Sequence, residues 1–356
     1  MKAAWARLDL QFRFVARTSR ETLRQKTTWL LRLADDDGTA AYGECALFHG
    51  LSADDCSDGE FEFRLTQLCR RINACESLCS LADEIKPYSA LLMGLESAMC
   101  CHSGGGVLYP SAFTEGRDTI AINGLVWMGS YDEMVARVEQ KIAEGFRCIK
   151  LKIGGIDFED ELCILLAIRQ KFSRAELELR LDANGAFKPE FALRRLERLA
   201  KFGIHSIEQP IAAGQREDLA RICRESPIPI ALDEELIGIP PGSAEKAQLL
   251  DYVRPAYVIL KPTLCGGLGG AGEWVSLARE RGIGSWYTSA LESNVGLNAI
   301  AQAAYAEYGA DAMPQGLGTG ELYTNNISGP ICRNDSRLSF TPGTPFNIPP
   351  LTWHEA

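Results

Sequence analysis

The chain has 356 residues, of which 46% are hydrophobic and 24% charged, and a formal net charge of −10. This length and composition predict a large buried core and two domains. The negative charge argues against a nucleic-acid partner, and the absence of a run of about 18 apolar residues or of a signal-peptide core predicts a cytoplasmic protein with no membrane span.

Residues 1–115 have the pattern of an α+β domain. Polar and apolar residues alternate in AWARLDLQFRFV and in TTWLLRLADDDGTAAYGECA around a turn at Asp35–Gly38, which predicts antiparallel strands. The segment YSALLMGLESAMCC has apolar residues at i, i+3 and i+4, which predicts a helix. We expect the tail, residues 321–356, to return to this first domain.

Residues 116–320 repeat the pattern of strand, loop and helix. Helices are predicted at residues 190–202 and 273–281. A series of βα units predicts a closed parallel barrel. The eight strand candidates are IAINGLV, CIKLKIG, LELRLDA, HSIEQP, IPIALDE, YVILKP, GSWYTSA and DAMPQGLG.

Charged residues end five consecutive strand candidates of this series. They follow one another at intervals of about 25 to 30 residues, which is the length of one βα unit. Because the carboxyl ends of barrel strands meet at one mouth, we expect these side chains to converge there. The five residues are Lys152, Asp182, Glu208, Asp233 and Lys261.

The three acids of the series predict a metal site. Asp182, Glu208 and Asp233 would repel one another at one mouth unless a cation neutralised them, and oxygen ligands favour Mg²⁺ or a similar hard ion. Only four histidines are present, and none is paired with another ligand at helical spacing, so a zinc or iron site is disfavoured.

The lysines of the series predict acid–base chemistry. Lys150 and Lys152 point to the same face of one strand, so we expect each to depress the pKa of the other until one can act as a base. Lys261 lies four strands later, on the opposite side of a barrel. Two lysines around a metal-bound carboxylate suit removal of the proton α to that carboxylate, because the metal stabilises the resulting enediolate.

The sequence GLGGAG, residues 267–272, matches the dinucleotide-binding pattern G-x-G-x-x-G. Residues 262–266 separate it from the preceding strand, and that strand is the sixth of its series rather than the first, which argues against nicotinamide binding. We expect these glycines to form a loop with room for the substrate.

Taken together, K-x-K, D-x-N, E-Q-P, D-E and a lysine before proline between residues 120 and 320 resemble the enolase superfamily, specifically its muconate lactonizing branch. The resemblance implies an α/β fold, a modified (β/α)7β TIM-like barrel with an N-terminal α+β capping domain. It also implies Mg²⁺, or Mn²⁺, held by Asp182, Glu208 and Asp233.

The same resemblance implies roles for the remaining polar residues of the mouth. Lys152 and Lys261 would be the acid and base, with Lys150 assisting electrostatically. The residues implied to orient these groups are Asn184, Glu234 and Arg180.

The segments SALESNVG (289–296) and GLGTG (316–320) resemble those of lyases in this branch that dehydrate a succinyl-bearing cyclohexadiene carboxylate to an aromatic acid in menaquinone biosynthesis. In such a lyase Lys152 would remove the α proton. The candidate substrate-binding residues are Ser289, Gly318 and Thr319. We expect two capping loops, residues 16–25 and 43–52, to close the mouth.

Other functions stay open at this point. Dipeptide epimerases of the branch carry D-x-D after strand eight, whereas this chain has no acid there before Glu321, which disfavours an ammonium-bearing substrate. N-succinylamino acid racemisation and muconate cycloisomerisation are not excluded. A non-catalytic barrel that binds a carboxylate would not need both lysines. The expected partner is a small-molecule carboxylate, and the oligomeric state is not predicted.

Overall fold

The structure is a computed structural model that describes residues 1–17, 22–104, 106–310 and 312–355. The first element is an antiparallel sheet of β1 (Lys2–Arg17), β2 (Thr22–Ala34) and β3 (Ala40–Cys45). The predicted turn is confirmed between β2 and β3, where Gly38 N donates to Asp35 O at 3.1 Å. The sheet therefore follows the alternating pattern of the sequence.

Three helices follow the sheet: α1 (Asp58–Asn73), α2 (Leu78–Glu84) and α3 (Ser89–Ser103). Their apolar faces and one face of the sheet enclose a core that includes Trp29 and Phe61. The prediction of an α+β segment is confirmed, and α3 begins one residue after the start of the predicted helical segment.

The second part of the chain contains a curved parallel sheet of seven strands. Gln315 and Gly316 bridge to Ile122 on one side and Thr288 on the other, which joins the two edges of this sheet into a ring. In sheet order the strands are β5 (Gly124–Val126), β6 (Cys148–Lys152), β7 (Glu178–Asp182), β8 (Ser206–Glu208), β9 (Ile230–Leu232), β10 (Tyr257–Leu260) and β11 (Gly284–Tyr287).

One helix follows each of these seven strands, with apolar residues packed towards the ring. The fold-class prediction of a modified (β/α)7β barrel is confirmed by this arrangement. The helices are α4 (Tyr131–Ala143), α5 (Phe158–Lys171), α6 (Pro189–Ala200), α7 (Arg216–Glu225), α8 (Glu245–Val253), α9 (Gly267–Glu280) and α10 (Asn294–Tyr308). Short 3₁₀ helices span Glu234–Leu236 and Gly318–Leu322.

Two of the eight predicted strands differ from the structure. The first is divided at Asn123 into β4 (Thr119–Ala121), which joins another sheet, and β5 of the ring. The eighth forms only the two bridges at Gln315 and Gly316. Pro314 lacks the N–H of a ladder residue, which limits pairing there. Asp311, the predicted start of this strand, lies outside the described residues.

The prediction of a loop at residues 267–272 is wrong, because these glycines form the first turns of α9. Gly267 packs closely on α3: a Cβ there would lie 2.2 Å from Glu96 Oε2. The same oxygen accepts a hydrogen bond from Leu268 N at 2.6 Å. The glycines thus bring α9 against the N-terminal domain rather than leave space for a substrate.

The C-terminal segment contacts both parts of the protein. β12 (Ile331–Asn334) and β13 (Arg337–Phe340) form a sheet with β4, whereas β14 (His354–Glu355) pairs with β1. The domain limits at residues 115 and 320 stay a prediction. Among the described residues, no helix has both the length and the apolar character that a membrane crossing requires.

A buried carboxylate holds the turn that follows β6. Glu161 accepts a hydrogen bond from Gly154 N, and burial raises its pKa from 4.5 to about 7, although backbone amides and Arg195 act in the opposite direction. Because the folded state binds this proton more tightly than the unfolded state, its contribution to stability is complete below about pH 4.5 and is lost as the pH rises to about 7.

We therefore expect Glu161→Gln to flatten the pH dependence of stability. Between pH 4.5 and 7 the wild type should lose about 3 kcal/mol more unfolding free energy than the variant, at about 1.4 kcal/mol per pH unit. Urea unfolding of both proteins across this range measures the difference. If the unfolding free energies of the two proteins changed equally with pH, the raised pKa of Glu161 would be contradicted.

Candidate metal centre and active site

Three buried carboxylates meet at the carboxyl ends of adjacent ring strands. Asp182 and Glu208 are the last residues of β7 and β8, and Asp233 directly follows β9. One oxygen from each lies within 4.8 Å of the others. Glu208 Oε1 has no hydrogen-bond partner among the described residues. Such a set of buried, close oxygen ligands fits a divalent cation.

Three lysines surround this cluster. From β6, Lys150 Nζ lies 3.0 Å from Asp182 Oδ2 and 2.9 Å from Glu208 Oε2. Lys152 Nζ lies 2.6 Å from Asp182 Oδ2. On the other side of the mouth, Lys261 follows β10 and contacts Asp233 Oδ2. The structure thus brings the six predicted metal-binding and catalytic residues together.

The lysines differ in their electrostatics. Burial lowers the pKa of Lys152, and Lys150 and Lys261 lower it further, against the opposing effect of Asp182. Burial also opposes the charged form of Lys150, but Asp182 and Glu208 outweigh it and raise the pKa of Lys150. The expectation that the two lysines depress the pKa of each other agrees with the effect of Lys150 on Lys152. For Lys150 the two carboxylates in direct contact decide the net direction, so the effect of Lys152 on it stays a prediction.

The remaining ionisable groups of the cluster are also shifted. Burial disfavours ionised Asp182, but the three lysines overcome it and hold the pKa of this carboxyl far below its ordinary value. Burial raises the pKa of Glu208 above its ordinary value, and Lys150 offsets only part of that effect because Asp182 and Asp233 raise the pKa further. The pKa of Lys261 is raised: Asp233 and Glu234 outweigh its burial.

Polar side chains beside the cluster fix its geometry. Asn184, which has a left-handed φ of 45°, accepts a hydrogen bond from Lys152 Nζ at 2.8 Å and donates one to Glu234 Oε1 at 2.9 Å. Gln209 Oε1 accepts from Asp233 N at 3.3 Å. Sequence reasoning did not assign a role to Gln209, although the E-Q-P motif contains it.

Arg180 occupies a different place from the one implied by the resemblance. It lies two residues before Asp182 on the same face of β7, which puts it in a deeper layer of the ring interior. Its guanidinium donates to Glu178 Oε1 at 2.8 Å and to Pro314 O at 2.9 Å, and it lies 4.3 Å from the Trp286 ring centroid. These contacts support the barrel floor rather than the metal ligands.

A cavity opens above the lysines. The N-terminal part of the chain covers it with Leu23, Phe48 and Leu51, which lie in the two segments predicted as capping loops. The loop prediction is wrong at the strand ends, because Leu23 belongs to β2 and residues 43–45 belong to β3. Residues 18–21 of the first loop lie outside the described residues. The three predicted substrate-binding residues, Ser289, Gly318 and Thr319, also line this cavity.

Three polar side chains of the lining have atoms that are buried and have no hydrogen-bond partner among the described residues. They are Asn123 Oδ1, Trp127 Nε1 and Thr319 Oγ1. They lie in, or directly after, the first and eighth strand segments, across the ring from the carboxylates. Each unmade bond costs about 1–3 kcal/mol, so a bound ligand is a natural partner. Neither Asn123 nor Trp127 belongs to a motif that sequence reasoning could use.

Known proteins match this chain over most of its length. The family model described as Enolase C-terminal domain-like matches residues 133–340. An o-succinylbenzoate synthase of Desulfotalea psychrophila is 44% identical, with 92% of this chain and 95% of that protein covered. An N-succinylamino acid racemase of Thermus thermophilus is 37% identical over 47% of this chain and 42% of its own.

A solved structure gives the same result for the fold. The crystal structure of MenC from Desulfotalea psychrophila superimposes with a TM-score of 0.82 at 42% identity, covering 95% of this chain and 99% of that one. The fold and the site define a barrel enzyme of a class that uses a divalent metal ion, with a buried acidic triad that can hold it. The chain belongs to the enolase superfamily.

Proposed function

We propose that the protein is an o-succinylbenzoate synthase, a lyase that dehydrates 2-succinyl-6-hydroxy-cyclohexadiene-1-carboxylate in menaquinone biosynthesis. The observation that carries this function is the combination of a buried acidic triad flanked by lysines with 44% identity to a protein of that name across 92% of the chain. We further propose a cytoplasmic location.

The ion of the proposed site is Mg²⁺, with Mn²⁺ as the alternative, and its ligands are Asp182, Glu208 and Asp233. Three carboxylate oxygens suit either hard cation. When bound, the ion supplies positive charge that stabilises the negative charge developing on the substrate carboxylate. Asn184 and Gln209 hold two of the ligand segments in place for it.

Lys152 is the proposed base. Its neutral Nζ takes the proton from the ring carbon that bears the carboxylate, and the electron pair of that C–H bond moves towards the carboxylate. The pair then forms the new ring double bond while the C–O bond on the neighbouring carbon breaks. The resulting Lys152 ammonium gives the proton to the departing hydroxide, so the products are water and an aromatic ring.

Lys261 and Lys150 keep their charges in this proposal. Lys261 lies across the mouth, where its ammonium stabilises the negative charge of the intermediate through a cation–π contact with the ring. Its raised pKa agrees with this role. Lys150, held by Asp182 and Glu208, contributes positive charge below the substrate.

The succinyl arm extends towards the side of the ring opposite the metal ligands. Ser289, Gly318, Thr319 and Trp127 line the cavity there. Every basic side chain among the lining residues that the structure describes is a lysine already in contact with a carboxylate. Neutral donors such as Thr319 Oγ–H and Trp127 Nε1–H therefore bind the oxygens of the arm.

We expect Trp127→Phe to weaken binding of the succinyl-bearing substrate. The variant keeps the aromatic contacts with Phe12 and Phe14 but lacks the indole donor. KM should rise about fivefold to tenfold with kcat within about twofold, as for one lost hydrogen bond. Trp274→Phe is the matched control, because its Nε1 is also buried and unpartnered among the described residues, but the side chain lies in the barrel core. An unchanged KM for the Trp127 variant would contradict the assignment.

The second candidate function is N-succinylamino acid racemisation or a muconate cycloisomerase-type reaction on the same scaffold. The observation that favours racemisation is the 37% identity to an N-succinylamino acid racemase. Racemisation and dehydration begin with proton removal α to a carboxylate, whereas muconate cycloisomerisation forms its carbanionic intermediate by ring closure and then adds a proton at the α carbon. All three reactions need positive charge beside the carboxylate and a lysine at the α carbon, so the site geometry does not separate them. The substrate does.

The experiment that tests the proposed function is product analysis. Purified protein with Mg²⁺ is mixed with the cyclohexadiene precursor, and loss of its absorbance is followed together with the mass and NMR spectrum of the product. We expect o-succinylbenzoate, lighter than the substrate by one water, and no reaction in the presence of a chelator. A folded, metal-loaded protein that leaves the precursor unchanged would refute the proposal.

A further inference from the structure

A strained turn forms one wall of the cavity. Leu291 has a φ of 69°, in the left-handed region that β-carbon-bearing residues rarely adopt, and its side chain lines the cavity. Glycine would occupy this position without strain. Because a leucine is strained in this conformation, the surrounding contacts must impose it. Such strained residues cluster at functional sites, which suggests a functional role for the Leu291 side chain.

Hydrogen bonds on both sides of Leu291 impose the conformation. Leu291 N donates to Ser289 Oγ at 2.8 Å, and Tyr323 Oη donates to Leu291 O at 2.7 Å. Glu292 Oε2 accepts from Ala290 N at 2.7 Å. Because Ser289 Oγ already accepts one bond, its own proton remains available for an acceptor in the cavity.

The next residues of the turn are bound by a carboxylate from the capping domain. Glu44, on β3, is fully buried, and its oxygens accept from Ser293 N at 2.8 Å, Ser293 Oγ at 2.5 Å and Gly296 N at 2.8 Å. Thr28 Oγ1 donates to the same group at 2.8 Å. Burial raises the pKa of Glu44, and the bonds from Ser293 and Gly296 oppose that rise.

The approach of Glu44 depends on a glycine in α10. A Cβ on Gly296 would lie 3.0 Å from Glu44 Oε2 and 2.8 Å from the Glu292 Cβ. The first turn of α10 thus supplies two backbone N–H groups that its own helix cannot satisfy, and the capping domain satisfies them. The Glu44 carboxylate therefore both joins the capping domain to the barrel and holds the turn that forms the cavity wall.

We propose that Glu44 is a positioning residue, which fixes the 289–293 turn so that Leu291 packs against the substrate and the Ser289 hydroxyl is directed to the succinyl arm. This inference rests on the proposed function for the identity of the arm. Glu44 does not touch the substrate and acts through Ser293 and the turn.

A second capping-domain carboxylate provides a matched control. Glu96, on α3, accepts from Leu268 N at 2.6 Å at the start of α9, so it also joins the capping domain to a barrel helix. Among the described residues, it makes no hydrogen bond with the 289–293 turn. A change at Glu96 should therefore also weaken docking of the capping domain, without moving the cavity wall.

The experiment compares Glu44→Gln with Glu96→Gln by kinetics and by hydrogen exchange. For Glu44→Gln we expect KM for the precursor to rise about tenfold while kcat changes less, and affinity for o-succinylbenzoate to fall while that for benzoate, which lacks the arm, stays within about twofold. Amide exchange in residues 289–296 should accelerate in this variant only. For Glu96→Gln we expect a lower Tm, unchanged KM and unchanged exchange in this segment.

Leu291→Gly and Leu291→Ala test the strain directly. Glycine should give the higher Tm of the two, because only glycine tolerates the positive φ, and both should lose affinity for o-succinylbenzoate. The inference is overturned if Glu44→Gln leaves KM and exchange of the turn unchanged, or if Glu96→Gln changes them equally. A wild type that does not use the precursor would refute the proposed function, whereas the exchange result would still decide whether Glu44 fixes the turn.

Discussion

Lys152→Ala is expected to lower kcat for the cyclohexadiene precursor by about 10²-fold to 10⁴-fold, the range for loss of a general base or acid. The substitution removes the group that takes and returns the proton, whereas Lys150 remains 3.0 Å from Asp182 Oδ2 and limits the electrostatic damage to the cluster. KM should change much less than kcat, and single-turnover kinetics should show the loss in the chemical step.

The control for Lys152→Ala is Lys246→Ala. Lys246 is also a buried, paired lysine, 2.8 Å from Glu273 Oε2, but it lies on α8 away from the cavity. This control should lower the Tm and keep most of the activity at a temperature where the protein is folded. Residual activity of Lys152→Ala within tenfold of the wild type would contradict the role of Lys152.

Glu208→Gln is expected to abolish the response of the protein to divalent ions. In the wild type, Mg²⁺ at about 100 times its Kd should stabilise the folded state by about 2.7 kcal/mol, which raises the Tm by a few degrees. The neutral amide removes one of three anionic ligands, so the Tm shift should disappear and kcat/KM should fall at least about 100-fold.

Glu235→Gln serves as the matched control for the metal ligand. Glu235 is a buried carboxylate close to the cluster, but it accepts from Gly214 N at 3.0 Å and is not one of the three clustered acids. This variant should keep the Mg²⁺-induced rise in Tm. The metal assignment would be wrong if Glu208→Gln kept that rise, or if a chelator left wild-type activity intact.

The position of the site could be predicted from the sequence because the functional residues of a barrel recur at regular intervals along the chain. Residues such as Asp182 and Lys261 end apolar strands at the spacing of βα units, and strand ends of a closed parallel sheet must converge. The family and the fold class followed from the same residues and are confirmed by the comparisons. The roles of individual site residues stay predictions.

Features that depend on contacts between distant segments could not be predicted. The pKa of Lys150 is set by two carboxylates from other strands, and Arg180 turns towards Glu178 and Pro314, which no local pattern reveals. The glycines of α9 allow this helix to pack closely against Glu96. In each case the sequence gives the residue type, and only the tertiary structure gives its partner.

The link that Glu44 makes between the capping domain and the 289–293 turn is also a contact between distant segments. Glu44 belongs to GECA in the first domain and the turn to SALESNVG near the end of the barrel, so Ser293 lies 249 positions after Glu44 in the chain. Neither segment alone indicates the other. The structure joins them because both the first turn of α10 and a buried carboxylate require hydrogen-bond partners.

The measurement that tests the central claim most directly is a comparison of kcat/KM on one preparation with Mg²⁺. The substrates are the cyclohexadiene precursor of o-succinylbenzoate, a set of N-succinylamino acids and cis,cis-muconate. The kcat/KM for dehydration of the precursor is predicted to exceed that for each other reaction by at least about 100-fold. Lys152→Ala should lose every activity that the wild type shows. Efficient racemisation or lactonisation by a protein that leaves the precursor intact would contradict it.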